Sequence, residues 1–118
     1  MRLLLAEDDP YMATLETSVL QENGYEPTVV GDGAQALCRF QRSPFPIVLT
    51  DLVMPVMDGP ALIAALHLQY PAIKIVTMSG LLDGAPPAEP AAPDAQAWLS
   101  KPFSATQLLT KLHSVLAT

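Results

Sequence analysis

The sequence predicts an α/β fold in which a five-stranded parallel sheet is covered by helices on both faces. Three observations predict it. Five short apolar runs alternate with stretches of helical periodicity. Several runs are apolar at consecutive positions, as strands buried on both faces are. Acidic, hydroxyl and basic residues stand directly after the runs, and ligands of parallel sheets sit beyond the carboxyl ends of the strands.

The first run, Leu3 to Ala6, leads into Glu7, Asp8 and Asp9. Asp9-Pro10 is a helix start, with Asp as N-cap and Pro at the first helical position. Met12, Leu15, Val19 and Leu20 then recur at helical spacing and are expected to face inward, and Gly24 can end the helix in a left-handed conformation. The second run is Thr28 to Val30. A helix over Ala34 to Gln41 follows, with Ala34, Leu37 and Cys38 inward. The third run, Ile47 to Thr50, ends at Asp51. A helix over Pro60 to Gln69 places Leu62, Ile63 and Leu66 inward.

The fourth run contains Ile73, Ile75 and Val76 and ends in Thr77 and Ser79, before Gly80. The stretch from Ala85 to Asp94 reads APPAEPAAPD. An interior proline costs a helix roughly 3 kcal/mol, so a loop or extended connection is expected there. The fifth run, Ala97 to Leu99, is followed by Ser100, Lys101 and Pro102. Ser104 can cap a last helix that carries Leu108, Leu109, Leu112, Val115 and Leu116 on one side. Repeated strand–helix units give parallel pairing through right-handed crossovers.

The 118 residues suit one domain, expected over 1–118, and half of them are hydrophobic. Acids outnumber bases twelve to six, a formal net charge of −6. So acidic a chain lacks the clustered Lys and Arg that bind nucleic acid or anionic membranes. No apolar run approaches the roughly 20 residues that span a bilayer, and the N-terminal apolar stretch runs straight into acids, unlike a signal peptide. A single cysteine, Cys38, cannot form an internal disulfide, which fits a reducing cytoplasm.

In a parallel sheet the four polar strand ends converge on one edge. Glu7, Asp8 and Asp51 then supply carboxylates, Ser79 a hydroxyl and Lys101 an ammonium. Crowded carboxylates repel one another, and a hard divalent cation such as Mg²⁺ relieves that repulsion with oxygen ligands. Beside such a metal, Asp51 can act as a nucleophile toward a phosphoryl group whose other oxygens Ser79 and Lys101 hold. Asp9 is read as a helix cap. His67 and His113 are expected to face solvent, Met54 and Met57 to pack within a loop, and Cys38 to be a small core residue.

The stretches LLLAEDDP, LTDLVMPVMDG, TMSG and LSKPF, taken together, resemble the receiver domains of two-component response regulators over essentially the whole chain. The resemblance implies a doubly wound, flavodoxin-like sheet in strand order 2-1-3-4-5, here with the fourth helix shortened or missing because of the proline tract. It implies phosphorelay signalling. Asp51 would be the phosphoacceptor. Asp8, Asp51 and the backbone carbonyl of Val53 would hold Mg²⁺ (or Mn²⁺), with Glu7 acting through water. Ser79 and Lys101 would bind the phosphoryl group, and Ser79 with Trp98 would form the switch. Pro102 would follow a cis peptide bond, and Asp58-Gly59 would open the loop after the acceptor. The implied partners are a sensor histidine kinase or a histidine phosphotransfer protein, with the chain free-standing or part of a hybrid kinase and not itself an enzyme. A monomer is expected because the proline tract falls in the face that the family uses for dimers, and a cytoplasmic location because the single Cys38 fits a reducing compartment.

Two other readings compete. A small-molecule phosphatase built on a strand-end Asp usually carries a second acid two residues on, where this chain has Val53. A pseudo-receiver that is never phosphorylated would not need the intact set of Glu7, Asp8, Asp51, Ser79 and Lys101.

Overall fold

The computed structural model describes residues 1–79 and 95–117. The expected proline-tract connection, the shortened fourth helix and Gly80 lie outside the described residues. The strands are β1 (Arg2–Ala6), β2 (Glu26–Val30), β3 (Ile47–Asp51), β4 (Lys74–Ser79) and β5 (Ala97–Ser100). The helices described are α1 (Pro10–Glu22), α2 (Gly33–Arg42), α3 (Gly59–Gln69) and α4 (Ala105–Leu116). All pairings are parallel, in the order β2-β1-β3-β4-β5. This is the doubly wound sheet and the strand order expected. Pro27, which has no N–H to donate, sits on β2 at the edge of the sheet, where a missing ladder bond is tolerated.

Alternation along the strands divides the core in two. Leu4, Ala6, Val48 and Ile75 join Ala36, Phe40, Leu62, Ile63 and Leu66 of α2 and α3. Leu3, Leu5, Ile47, Leu49, Val76 and Met78 join Leu20 of α1 and Leu108, Leu112 and Val115 of α4. Every residue of β3 is buried, which is why its sequence reads as a continuous apolar run ending at Asp51. Each fully buried Leu or Ile contributes about 1.5–3 kcal/mol, so β3 is the centre of both cores.

The helix starts follow from their caps. Asp9 Oδ1 accepts from the backbone N–H of Tyr11 at 2.9 Å, and Pro10 takes the first helical position. Asp58 Oδ1 accepts from Ala61 N–H at 3.0 Å, so Asp58 is the cap of α3 as well as the end of the preceding loop. Ser104 and Gln107 form a reciprocal capping box at α4. Gly24, at φ 88°, ends the first helical segment in the left-handed region, as expected.

Two helices face differently from the sequence reading. The buried residues of α1 are Ala13, Glu16 and Leu20, whereas Leu15 is 46 % exposed. On α2 they are Gly33, Ala36 and Phe40, and Cys38 is exposed rather than a core residue. In both helices the true face is offset from the stripe chosen on hydrophobicity. Phe40 explains α2: its ring fills space against Phe45 and Tyr70, at centroid distances of 6.1 and 4.7 Å, and so turns Cys38 outward. The inward residues expected for α3 are those found. His67 is half-buried rather than solvent-facing, while His113 is exposed. No helix among the described residues is long and apolar enough to cross a membrane.

Candidate functional site

The carboxyl ends of β1 and β3 lie side by side, since Ala6 pairs with Thr50. The next residues, Glu7 and Asp51, therefore emerge together. Carboxylate oxygens of Glu7, Asp8 and Asp51 all lie within 4.8 Å of one another. Glu7 and Asp51 are buried, whereas Asp8 is exposed at the rim. Lys101, just past β5, reaches across the sheet edge. Its Nζ donates to Glu7 Oε1 at 2.7 Å and to Asp51 Oδ2 at 3.0 Å. The second Glu7 oxygen accepts from Asp9 N–H at 3.3 Å.

The electrostatics follow from this crowding. Burial raises the Glu7 carboxyl above its ordinary value, Lys101 pulls it down, and Asp51 pushes it up again. Burial works against charge on Lys101, but its bonds to Glu7 and Asp51 outweigh that effect and hold the ammonium above its usual range. Three carboxylates face one ammonium, so the oxygen cluster has negative charge to spare. Oxygen-only donors, excess negative charge and an exposed rim at Asp8 fit a hard divalent cation such as Mg²⁺.

The loop after β3 is built by close backbone approaches. A Cβ on Gly59 would meet Asp51 O at 2.5 Å and Leu52 Cα at 2.6 Å, so only glycine lets α3 start this near the acid. Gly59 N–H also donates to Leu52 O at 2.9 Å. Within the loop, Met57 N–H donates to Pro55 O at 2.7 Å around Val56, whose φ is 67°. That is a three-residue γ-turn in its strained, positive-φ form, uncommon for a β-branched residue. Met57 O then accepts from Gly33 N–H at 2.9 Å, tying the loop to the start of α2. Met54 is buried and Met57 packs against the core, as loop packing requires. Val53, two residues after Asp51, has a side chain 69 % exposed.

At the neighbouring strand ends, Ser79 pairs with Ser100 and Lys101 N–H donates to Ser79 O at 2.7 Å. The Lys101–Pro102 bond is cis, as expected. The structure brings Glu7, Asp8, Asp51 and Lys101 together directly. The Ser79 hydroxyl, by contrast, accepts from Trp98 Nε1 at 2.9 Å and has no hydrogen bond to the acid–lysine cluster among the described residues.

One residue of this neighbourhood escaped the sequence reading. Glu16 is 2 % exposed, and neither carboxylate oxygen has a hydrogen-bond donor among the described residues. Burial, and then the charge of Glu7, push its carboxyl up to about 8. A carboxyl raised in this way favours its protonated form, in which it can donate to the Glu7 carboxylate rather than repel it. The available signal was its position: Ala13, Glu16 and Leu20 repeat the spacing of Met12, Leu15 and Val19 with a small shift along the helix.

Comparison with known proteins places this geometry. The profile of the response regulator receiver domain family matches residues 3–113. The response regulator receiver protein CpdR of Brucella abortus is 37 % identical over 115 residues, covering 98 % of this chain and 96 % of that protein. A segment of the sensor kinase CckA of Brucella abortus is 34 % identical, covering 97 % of this chain and 12 % of CckA. The chain spans 50 % of the length of several further relatives. Among solved structures, the chemotaxis protein CheY4 of Vibrio cholerae superposes with a TM-score of 0.85 at 27 % identity, covering 97 % of each chain.

Proposed function

Because the chain belongs to the response regulator receiver domain family of two-component signalling, we propose that it takes a phosphoryl group onto Asp51 and signals by the change of shape that follows. The donor is the phosphohistidine of a sensor histidine kinase or a histidine phosphotransfer protein. The recipient of the signal is a partner or an attached module. The observation that carries this reading is the convergence of Glu7, Asp8 and Asp51 with Lys101 bridging two of them.

The reaction needs little from the protein beyond placement and charge. An Asp51 carboxylate oxygen attacks phosphorus, the P–N bond to the donor imidazole breaks, and its electron pair returns to that nitrogen. The product is an acyl phosphate and a free histidine. Lys101, held at 3.0 Å from Asp51, fixes the nucleophile beforehand and pairs with a phosphoryl oxygen afterwards. The Ser79 hydroxyl donates to another. Bound by Asp8, Asp51 and the Val53 carbonyl, with Glu7 acting through water, Mg²⁺ (or Mn²⁺) would neutralise charge on the phosphoryl group. Ser79 and Trp98 report the new state.

The chain acts as a phosphoacceptor rather than as an enzyme turning over a separate substrate. A cytoplasmic location and a monomeric state complete the proposal. The intact set of Glu7, Asp8, Asp51, Ser79 and Lys101 weighs against a never-phosphorylated interaction module. Incubation with acetyl phosphate and Mg²⁺ followed by intact mass tests the reading. The parent chain gains roughly 80 Da, one phosphoryl group. An Asp51→Asn variant that gained the same mass would refute it, as would a parent that gained none.

A further inference from the structure

Thr50 is the one polar residue of β3 before Asp51, and it is fully buried. Alternation turns it toward the core that Val48 joins with α2 and α3, and turns Asp51 to the opposite face with Leu49. A buried hydroxyl needs a partner. The Thr50 hydroxyl donates to the backbone carbonyl of Asp51 at 2.9 Å.

That carbonyl lies where two strands part. Leu52 N–H donates to Met78 O on β4 at 3.0 Å. The N–H and C=O of one trans peptide unit point opposite ways, so Asp51 O faces the β1 side. Pairing of β1 with β3 ends at Ala6 and Thr50, and Glu7 N–H turns to Val30 O on β2 at 3.0 Å. In a continued parallel ladder the next donor to Asp51 O would be Asp8 N–H. Among the described residues, Asp8 N–H makes no backbone hydrogen bond. The parting gives the carboxylates of Glu7, Asp8 and Asp51 room to gather around a cation, and it leaves Asp51 O without its ladder partner. The start of α3 crowds the same oxygen, which a Cβ on Gly59 would meet at 2.5 Å.

We propose, on the reading that Asp51 is the phosphoacceptor, that Thr50 is a positioning residue for it: the Thr50 hydroxyl stands in for the missing ladder donor and pins the Asp51–Leu52 peptide while β1 and β3 stay apart. That peptide is then held at both ends, by Met78 O at its N–H and by Thr50 at its C=O. Its plane sets the direction in which the Asp51 carboxylate leaves the strand. Thr50 touches neither the cation nor the phosphoryl group and acts only through the backbone of Asp51. Without the hydroxyl, a buried carbonyl is left unpaired. Closing the ladder onto Asp8 N–H then becomes its best remedy, and that closure narrows the acid cluster.

Two comparisons isolate the hydroxyl. Thr50→Val keeps the shape of the parent residue without its hydroxyl, and Thr50→Ala differs from Thr50→Ser by one oxygen. In both pairs, loss of the hydroxyl is expected to weaken Mg²⁺ binding, read by calorimetry. It is also expected to slow phosphorylation by acetyl phosphate at saturating Mg²⁺. Each effect is about two- to tenfold, the worth of one hydrogen bond. The acetyl phosphate concentration at half-maximal rate stays the same, because Thr50 does not touch the donor, and Thr50→Ser behaves like the parent. The serine and alanine pair keeps the test standing if Thr50→Val folds poorly. Loss of the hydroxyl that lowers stability to urea, yet leaves Mg²⁺ affinity and rate unchanged, makes Thr50 merely structural and overturns the proposal. So does a Thr50→Ser variant as impaired as Thr50→Ala, since the methyl group and not the hydroxyl then matters. A parent that takes the phosphoryl group, with no difference within either pair, refutes the positioning role alone. A parent that takes none refutes the phosphoacceptor reading and the positioning role together.

Discussion

Lys101 Nζ lies 3.0 Å from Asp51 Oδ2 although fifty positions separate the two residues in sequence. The same ammonium holds Glu7 Oε1 at 2.7 Å. Without it, two buried carboxylates face each other with no counter-charge. Lys101→Met is therefore expected to lower stability in chelator by about 1–3 kcal/mol, less than for a fully buried pair because the lysine side chain is 17 % exposed. Mg²⁺ then recovers more stability in the variant than in the parent. Urea unfolding with and without Mg²⁺ measures both, and equal stability of variant and parent in chelator would remove Lys101 from its role as counter-ion.

Glu16 sets a pH dependence. Its carboxyl is raised from 4.5 to about 8 in the folded chain. Below 4.5 both folded and unfolded forms are protonated, and the group has no effect. Between 4.5 and 8 the folded state holds a proton that the unfolded state has lost, so stability falls as pH rises through that window. Glu16→Gln keeps the shape and removes the titration. It is expected to flatten the fall between pH 5 and 8 and to be the more stable protein at pH 8, by on the order of a few kcal/mol at most. Urea unfolding across that range decides it; parallel curves for the two proteins would contradict the assignment.

Val56 holds a positive φ of 67° on an exposed loop, with 85 % of its surface open. Its side chain loses little packing on replacement, and glycine adopts positive φ without a Cβ clash. Val56→Gly should stabilise the chain by about 1 kcal/mol, the strain relieved less the backbone entropy that glycine adds to the unfolded chain. A lower melting temperature in the variant would show the turn to be unstrained.

Gly59→Ala should do the reverse. Its methyl group would meet backbone atoms of Asp51 and Leu52 at 2.5 and 2.6 Å, and backbone cannot swing aside as a side chain can. A loss of about 1–3 kcal/mol and slower phosphorylation are expected. Gly31→Ala, where a Cβ meets nothing within 4 Å, is the control. If both substitutions cost the same, close approach is not what Gly59 provides.

The sheet was legible because β3 and its neighbours are apolar on both faces, and the acid–lysine cluster because a parallel sheet must gather its strand ends. Asp9, Gly24 and Ser104 marked helix ends through chemistry that depends only on near neighbours. The inward faces of α1 and α2 were not legible from hydrophobicity. Leu15 looks like a core residue and Glu16 like a surface one, yet the rotation of α1 over the sheet reverses them. Phe40, not Cys38, decides the rotation of α2. The bond from Trp98 to Ser79 joins residues on different strands, and nothing local to either residue encodes it.

The acyl phosphate itself offers the most direct test of the central claim. Borohydride reduces an aspartyl phosphate at the modified carbon, turning that residue into homoserine. After treatment with acetyl phosphate, Mg²⁺ and borohydride, peptide mapping by mass spectrometry should find homoserine at position 51 and nowhere else. Conversion at Asp8, Asp9 or Asp58 instead, or no conversion at all, would contradict the account of Asp51 as the phosphoacceptor.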